Sequence, residues 1–535
     1  RAPAAPAYPG AWDMQRDAYF AGLGGGGTAL NPVVVLEHRP PSGPSAWIQA
    51  ARDWIGRRVM AAIPGSPGAI AATFLTGSTL AIPLPDRAAF RDSGLAHLLA
   101  VAGLHIGIVM GLVFGATRLL LACWERAALH WPTKPIAAVT ALIAGGGYML
   151  MAGAHVPVMR SFAMACLVTL GLVVGRRAIS LRGLALAAAG LMLIAPQEVV
   201  GVSFQMSFAA VLALISGYEA LRPVLSRLQG DSWWRRSASH VVALVLTSLL
   251  AGTASAPYGA YHFGHVQLYF ILANVVAVPL TAMWVMSLGL LGLALMPLGL
   301  EQLALAPMGW GVEAILWIGR TVSALPEATL AVPPLPIWGL AVFSLGLAWL
   351  GLWRTRWRLA GVPVMLAGLL SPLVAPTPDL LVSNDARLIA LRSGGAYWLQ
   401  SRPGAAKFTR EAWETHLASG KLDPIRDGEP EACGKEACRL GPVLVLRGSS
   451  RAPDCAGVAL LVSAEPARGE CPPEVALLDR FTVWRDGAHA VWLDGDGVRV
   501  VSDRAYRGQR PWVPPLPTPR RATPNLPMAP TDEAE

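Results

Sequence analysis

Residues 237–300 read SASHVVALVLTSLLAGTASAPYGAYHFGHVQLYFILANVVAVPLTAMWVMSLGLLGLALMPLGL, sixty-four positions without one Asp, Glu, Lys or Arg. A bilayer core about 30 Å thick is crossed by about 20 apolar residues in a helix. The run therefore predicts two crossings, joined through residues 257–267. Working outward, further runs free of these four residue types occupy 93–117, 135–159, 161–175, 183–197, 199–218, 328–353 and 359–378. The two fifteen-residue runs predict tilted or re-entrant pieces. Residues 302–324 carry Glu313 and Arg320. They predict either a crossing with a sheltered charged face or an amphipathic helix at the interface. The expected fold is a polytopic α-helical membrane protein of about ten spans, with a small extracytoplasmic C-terminal β-rich (α+β) domain.

Charge divides the chain in two. Residues 1–375 hold 23 Lys/Arg and 13 Asp/Glu, whereas residues 376–535 hold 20 and 21. The net charge of +9 thus belongs to the first part. A chain that is 54% apolar and 14% charged is neither disordered nor a single soluble domain. Basic residues cluster in alternate loops: Arg118, Arg126 and Lys134, then Arg176, Arg177 and Arg182, then Arg222, Arg227, Arg235 and Arg236. By the positive-inside rule these loops are cytoplasmic. If 302–324 crosses, Arg354, Arg356 and Arg358 are cytoplasmic too. The residues before His97 and after 378 then lie outside.

Cysteine usage agrees with this orientation. Cys123 and Cys166 fall in or beside spans and read as packing residues. Cys433, Cys438, Cys455 and Cys471 all lie in the polar C-terminal part. In an oxidising compartment they predict disulfides, with nearest neighbours paired among the three possible pairings. The rival, a zinc site, lacks a CxxC pair and a nearby His.

Domain boundaries follow from these shifts. Residues 1–45 are a Pro- and Gly-rich linker. Residues 46–93 open on a basic stretch with Trp47, Arg52, Trp54, Arg57 and Arg58. That stretch lies on a membrane surface or covers the domain as an ordinary helix. Residues 94–378 hold the spans. Residues 379–510 form the soluble domain, with alternating strands in 380–400 and 481–503, a hairpin turn at 494–497 and a helix over 409–419 capped by Thr409. Residues 511–535 are a Pro-rich disordered tail. Arg1 is not an initiator Met and no signal peptide is recognisable, so the chain reads as part of a longer one.

Ionisable and amide groups at bilayer depth are costly, so each is a functional candidate. His97 and His105 are eight residues apart, about 80° around one helix. Gly103, Gly107, Gly111 and Gly115 form a small-residue stripe suited to close helix packing. The alternative is a packed helix whose histidines bond to neighbours. His155, Pro157 and Arg160 sit at a span entry that holds an anion or anchors the interface. Gln205 lies between Phe204 and Phe208. Tyr258, Tyr261, His262 and His265 occupy the next loop, and Asn274 precedes Pro279 in a span. No HExxH or P-loop string occurs.

In order, the stretch from His97 to His105, Arg160-Ser161-Phe162, Phe204-Gln205-Met206-Ser207-Phe208, and the span with Asn274 and Pro279 resemble the ComEC family of competence proteins. The likeness covers roughly residues 55–300. It implies passage of single-stranded DNA across the bacterial inner membrane in natural transformation, with the polar residues named above lining a channel. Arg160 and the loop histidines would meet phosphates near the outer mouth. It implies as partners a periplasmic DNA receptor and a cytoplasmic motor or strand-binding proteins, besides membrane lipid. Tyr8-Pro9-Gly10-Ala11-Trp12-Asp13 is similar to the end of the family's external OB-like domain. Ala102 stands where the family commonly has Ser. Many members end in a metallo-β-lactamase-like domain, but its His-x-His-x-Asp-His string is absent, and residues 380–503 contain only His416 and His489. The expectation is a degenerate, disulfide-stapled relative with no catalytic residue, metal or cofactor. The competing readings are a secondary transporter of a small solute, for which no internal repeat is found, and a catalytically silent scaffold.

Overall fold

The computed structural model describes residues 2–27, 42–101, 103–173, 180–228, 232–419, 421–447, 454–467, 469–494 and 497–516. The 517–535 part of the Pro-rich tail, Ala102, and the loop residues Arg176 and Arg177 lie outside them. The chain divides into two compact units. One joins Arg1–Val33 to Pro376–Glu535, and the other is Val34–Ala375. A first helix, α1 (Met14–Phe20), belongs to the former.

The larger unit is helical. In order it contains α2 (Pro44–Ala62), α3 (Gly65–Thr76), α4 (Leu84–Asp92), α5 (Ala96–Leu99), α6 (Gly103–Ala122), α7 (Glu125–His130), α8 (Thr133–Met151), α9 (Val156–Val173), α10 (Leu181–Ile194), α11 (Val202–Leu228) and α12 (Trp233–Phe263). After α12 come β1 (His265–Gln267), α13 (Phe270–Pro279), α14 (Met286–Leu295), α15 (Gln302–Ser323), β2 (Thr329–Ala331), α16 (Ile337–Leu352) and α17 (Gly361–Leu369). Among the described residues, five helices are long and apolar enough to cross a bilayer: Gly103–Ala122, Thr133–Met151, Val202–Arg227, Trp233–Phe263 and Phe270–Leu298. Three shorter apolar helices are Val158–Gly171, Leu181–Ile194 and Ile337–Leu352. These helices and the β-rich unit fit a helical membrane protein.

The 237–300 run does fold as two long apolar helical stretches, but the break between them is residues 264–269 rather than 257–267. Gly264 ends α12 with φ 68°, a left-handed cap that suits glycine. Pro257 lies inside α12. In the second stretch Pro279 lacks the N–H that a helix needs. The backbone widens to a π turn over Leu280–Val285, and Thr281 Oγ1 donates to Ala277 O at 2.7 Å. The Thr281 hydroxyl and the Leu280 N–H, which bonds Ala277 O and Val276 O, keep carbonyls beside the proline hydrogen-bonded.

Residues 302–323 form one helix, and its Arg320 is matched: Nε and Nη2 donate to Asp86 Oδ1 at 2.9 and 2.6 Å, while Glu313 is exposed. Helices α16 and α17 touch backbone to backbone. A Cβ at Gly368 would stand 2.6 Å from Gly339 O, and one at Gly361 2.5 Å from Gly346 O. The seven-residue glycine spacing on both helices makes that contact.

The β-rich unit holds β3 (Leu380–Val382), β4 (Leu388–Ser393), β5 (Ala396–Ser401), α18 (Lys407–His416), β6 (Asp423–Pro424), β7 (Ala437–Leu440), β8 (Val443–Leu446), β9 (Leu460–Val462), β10 (Ala476–Leu478), α19 (Arg480–Asp486), β11 (His489–Asp494), β12 (Gly497–Ser502) and α20 (Asp503–Arg507). A six-stranded sheet runs β12-β11-β3-β4-β5-β6, and a four-stranded sheet runs β10-β9-β8-β7. Alternation along β4 sends Ile389 and Leu391 to one core and Leu388 and Ala390 to another. The second core centres on Trp413 of α18, which is fully buried.

The 489–502 hairpin forms as expected, with Asp494 opposite Gly497. The turn residues 495 and 496 lie outside the described residues. Two readings need correction. The 481–503 stretch opens as helix α19, because Asp479 caps it through Phe481 N and Thr482 N. Helix α18 begins at Lys407, so Thr409 is an interior, buried residue and not its cap. Cys433 is bonded to Cys438 and Cys455 to Cys471, the nearest-neighbour pairing.

Candidate functional site

The candidate residues fall into separate groups around three helices. On α11, Ser203 and Gln205 are two positions apart, about 200° around the axis, so they face different neighbours. Arg160 of α9 donates from Nη2 to Ser203 Oγ at 2.7 Å. His262 Nε2 of α12 lies 2.8 Å from Gln205 Oε1, an N–H···O bond in the tautomer that carries the proton there. Helix α11 is thus held to α9 by a guanidinium and to α12 by an imidazole. Phe204 and Phe208, one turn apart, stack at 4.3 Å beside these bonds. Tyr258 Oη, one turn before His262, bonds Ser344 Oγ at 2.8 Å and ties the seam to α16.

The second group surrounds α3. His105 is fully buried, and neither ring nitrogen has a hydrogen-bond partner among the described residues. Its ring centre is 5.4 Å from that of Phe74. Tyr148 Oη donates to Phe74 O at 2.6 Å, and Arg52 Nε and Nη2 donate to Thr76 O at 3.3 and 3.0 Å. These donors satisfy the open carbonyl end of a short buried helix. Gly77 ends it with φ 73°, and a Cβ there would stand 2.2 Å from Ala152 O.

Helix α3 is the element that reading the sequence missed. At about 1.5 Å per residue, its 12 residues are too short to cross a bilayer, yet the helix is buried from Gly68 to Thr76. A signal existed, since residues 59–85 contain no Asp, Glu, Lys or Arg. Prolines 64, 67, 83 and 85 break the run into pieces that do not resemble a span.

Several expectations change. His97 and His105 do not share a helix face: His97 lies on α5, whose cap at Ala100 is extended, and His105 lies on α6. His97 is exposed, with Nδ1 3.2 Å from Gly94 O. The glycine stripe does not make a helix contact along its length. Only Gly103 has a neighbour, Ser161 Oγ at 3.5 Å from an added Cβ, while Gly107, Gly111 and Gly115 have nothing within 4 Å. Close packing of α6 comes instead from Gly145 on α8, where a Cβ would meet Met110 at 2.8 Å.

His155 and Arg160 do not form a pair at one lip. His155 is exposed, with Nδ1 3.1 Å from Ala152 O, and Arg160 is buried. His265, in β1 opposite Ala331, is half-buried. Burial pushes its imidazole pKa down, and Arg91 adds to that more than Asp92 offsets it. Asn274 is buried with Oδ1 unpaired among the described residues. A cavity of about 420 Å³ is lined by apolar residues including Val245, Tyr269, Leu272 and Val276, and by none of these polar groups. No cluster of three or more His, Cys, Asp or Glu able to hold a metal occurs among the described residues.

Fold and site together define a polytopic helical membrane protein with polar groups buried between its helices and a disulfide-bonded β-rich unit. The competence-protein family model matches residues 74–357, and the chain belongs to that family. It is 29% identical over 394 residues to Competence protein ComA of Neisseria gonorrhoeae, covering 71% of this chain and 52% of that one. It is 26% identical over 261 residues to ComE operon protein 3 of Bacillus subtilis (strain 168), covering 47% and 30%. It is 25% identical over 345 residues to the uncharacterized protein YcaI of Escherichia coli (strain K12), covering 60% and 42%. The chain thus spans about half or less of the length of these relatives. No solved structure matches it.

Proposed function

We propose that this chain carries single-stranded DNA across the bacterial inner membrane during natural transformation. The observation that carries the reading is the seam of Arg160, Ser203, Gln205 and His262 across α9, α11 and α12. A purely structural bundle gains little from such groups at bilayer depth. In a member of the competence family they supply the polar path that a charged strand needs.

Topology supports the same reading. Residues 2–27 pack with the C-terminal domain: Trp413 Nε1 donates to Ala7 O at 2.9 Å, and Arg507 reaches Asp13 and Gln15. On this reading both ends of the membrane unit lead to one compartment, with an even number of crossings between them. Among the described residues the five long and three shorter apolar helices are eight candidates, and adding α15 and α17 gives ten. Two disulfides favour an external, oxidising location for that domain. In this proposal the chain cuts no DNA, receives it from a periplasmic receptor, and depends on a cytoplasmic motor or strand-binding proteins for driving force.

The test is a deletion strain scored for labelled DNA. Loss of strand recovered in the cytoplasm, with binding at the cell surface retained and uptake restored by the plasmid-borne gene, is expected. Uptake at the parental level in the deletion strain overturns the proposal.

A further inference from the structure

Arg160 is 5% exposed, and its Nε and Nη1 have no hydrogen-bond partner among the described residues. Only Nη2 is engaged, by the neutral Ser203 hydroxyl. A buried guanidinium normally faces a carboxylate or several carbonyls, because an unpaired buried charge is costly. The nearby acidic group is Glu198, in the 3₁₀ turn Pro196–Val200 that precedes α11. Its negative charge is close enough to favour the charged guanidinium, and the two form no ion pair among the described residues. Its carboxylate is folded back over the turn, with Oε2 3.5 Å from where a Cβ on Gly201 would sit. Gly201 N closes that turn on Glu198 O at 2.8 Å, two residues before Ser203. The turn thus places a carboxylate five residues before the Ser203 hydroxyl at the start of α11, and only the hydroxyl binds the guanidinium.

Resting on the reading above, we propose that Arg160 and Ser203 seat one backbone phosphodiester of the passing strand, with Glu198 as the counter-charge that releases it. A guanidinium fits this role. It offers several donors in one plane, which matches the oxygens of a phosphate, and it stays charged at bilayer depth. A permanent partner would hold the arginine shut, and an arginine with none would hold each phosphate too long. A carboxylate close enough to attract the guanidinium, yet not bonded to it, lets the two anions exchange. The strand then advances by one phosphate per exchange, with no sequence preference, since only backbone groups are engaged.

The chemistry recognised is a phosphodiester anion, which a strand and a lipid headgroup share. The experiment uses the full chain in nanodiscs. Its probes are a fluorescent oligothymidylate, the same oligomer with uncharged methylphosphonate linkages, phosphatidylglycerol vesicles and inorganic phosphate. The wild type is expected to bind the charged oligomer at least tenfold tighter than the uncharged one, with vesicles and phosphate competing weakly. Arg160→Gln should abolish that preference, and Arg160→Lys should keep part of it. Glu198→Gln should bind the charged oligomer several-fold tighter while slowing uptake in cells.

Equal binding of both oligomers by the wild type overturns the phosphate seat and leaves DNA passage standing, and this arm needs no variant to fold. Full displacement by phosphatidylglycerol reassigns the seat to lipid and overturns it for the strand. Binding of neither oligomer, together with normal uptake in the deletion strain, removes the functional reading itself.

Discussion

Two arginines are about equally buried in the two units, and their surroundings differ. The Arg507 side chain of the β-rich unit is 10% exposed and is surrounded by acceptors. Nη1 donates to Gln15 Oε1 at 2.8 Å and to Asp13 Oδ2 at 3.3 Å, and Nη2 pairs with Asp503 Oδ2 at 2.7 Å. Arg160 of the membrane unit has one serine hydroxyl. A buried charge whose two terminal nitrogens meet two carboxylates and an amide ties elements together even with its Nε unpaired, and here it fastens residues 2–27 to the end of the chain. A buried charge left short of partners contributes little to the fold and is better explained by a ligand.

The largest expected effect tests that contrast directly. Arg507→Ala leaves Asp13 and Asp503 facing each other without a cation. Removing one member of a buried ion network costs about 3–5 kcal/mol. The N-terminal segment should then detach, seen as fast hydrogen exchange in α1 and protease cleavage before residue 27. Arg160→Ala removes one hydrogen bond and should cost about 1 kcal/mol. Equal losses from the two substitutions would erase the distinction.

Next come the disulfides, which only the β-rich unit has. Cys455 and Cys471 are 16 residues apart, and a loop of that size contributes about 3 kcal/mol when closed. Replacing both by Ser should lower the stability of the β-rich unit by about that amount and leave exchange in α6 and α8 unchanged. Thiol reagents should reach these cysteines only after reduction, and labelling of the untreated protein refutes the bridges.

The parts of this contrast that were legible in the sequence are those written locally. Charge-free runs located the long helices, the even set of C-terminal cysteines predicted the bridges, and period-2 alternation found the 489–502 hairpin. Non-local packing was not legible. Nothing near Tyr8 indicates that the backbone of Ala7 will accept a bond from Trp413. The Pro- and Gly-rich segment after Val59 hides α3, whose C-terminal carbonyls depend on Arg52 and Tyr148 for hydrogen bonds. The polar candidates were recognisable by type, since Arg, His and Gln at bilayer depth stand out, but not by partner. The Arg160–Ser203 and Gln205–His262 bonds depend on how three helices rotate about one another.

Glycine substitutions give a smaller effect and separate packing from composition within α6 and α8. Gly145→Ala pushes a methyl into Met110, and overpacking of this kind costs about 1–3 kcal/mol. Gly107→Ala meets nothing within 4 Å and should be neutral or stabilising by about 0.5 kcal/mol, because Ala favours the helix. Melting temperatures in one detergent distinguish them, and a reversed order would restore the glycine stripe as the contact.

The smallest effect is a titration inside the closed network. Burial raises the Asp503 carboxyl to about 6 despite the opposing pull of Arg507. The folded state therefore keeps a proton that the unfolded chain has lost, from the ordinary value near 3.8 up to about 6. Stability contributed by this group falls as pH rises through that window. His416, stacked on Tyr8 at 3.9 Å, is lowered by burial to about 4. The unfolded chain takes up a proton that the folded one refuses, so this group makes stability rise from pH 4 toward 6.5, and the buried His489 acts in the same direction. The opposed slopes offset each other in the wild type. Asp503→Asn should leave the histidine slope, with the β-rich unit gaining stability from pH 4.5 to 6.5. His416→Gln should shift the slope the other way, toward loss over the same range. Hydrogen exchange of the β4 and β11 amides measures both. If the two variants share the wild-type profile, Asp503 is ionised throughout, and the network around Arg507 is held by a full carboxylate at every pH in that range.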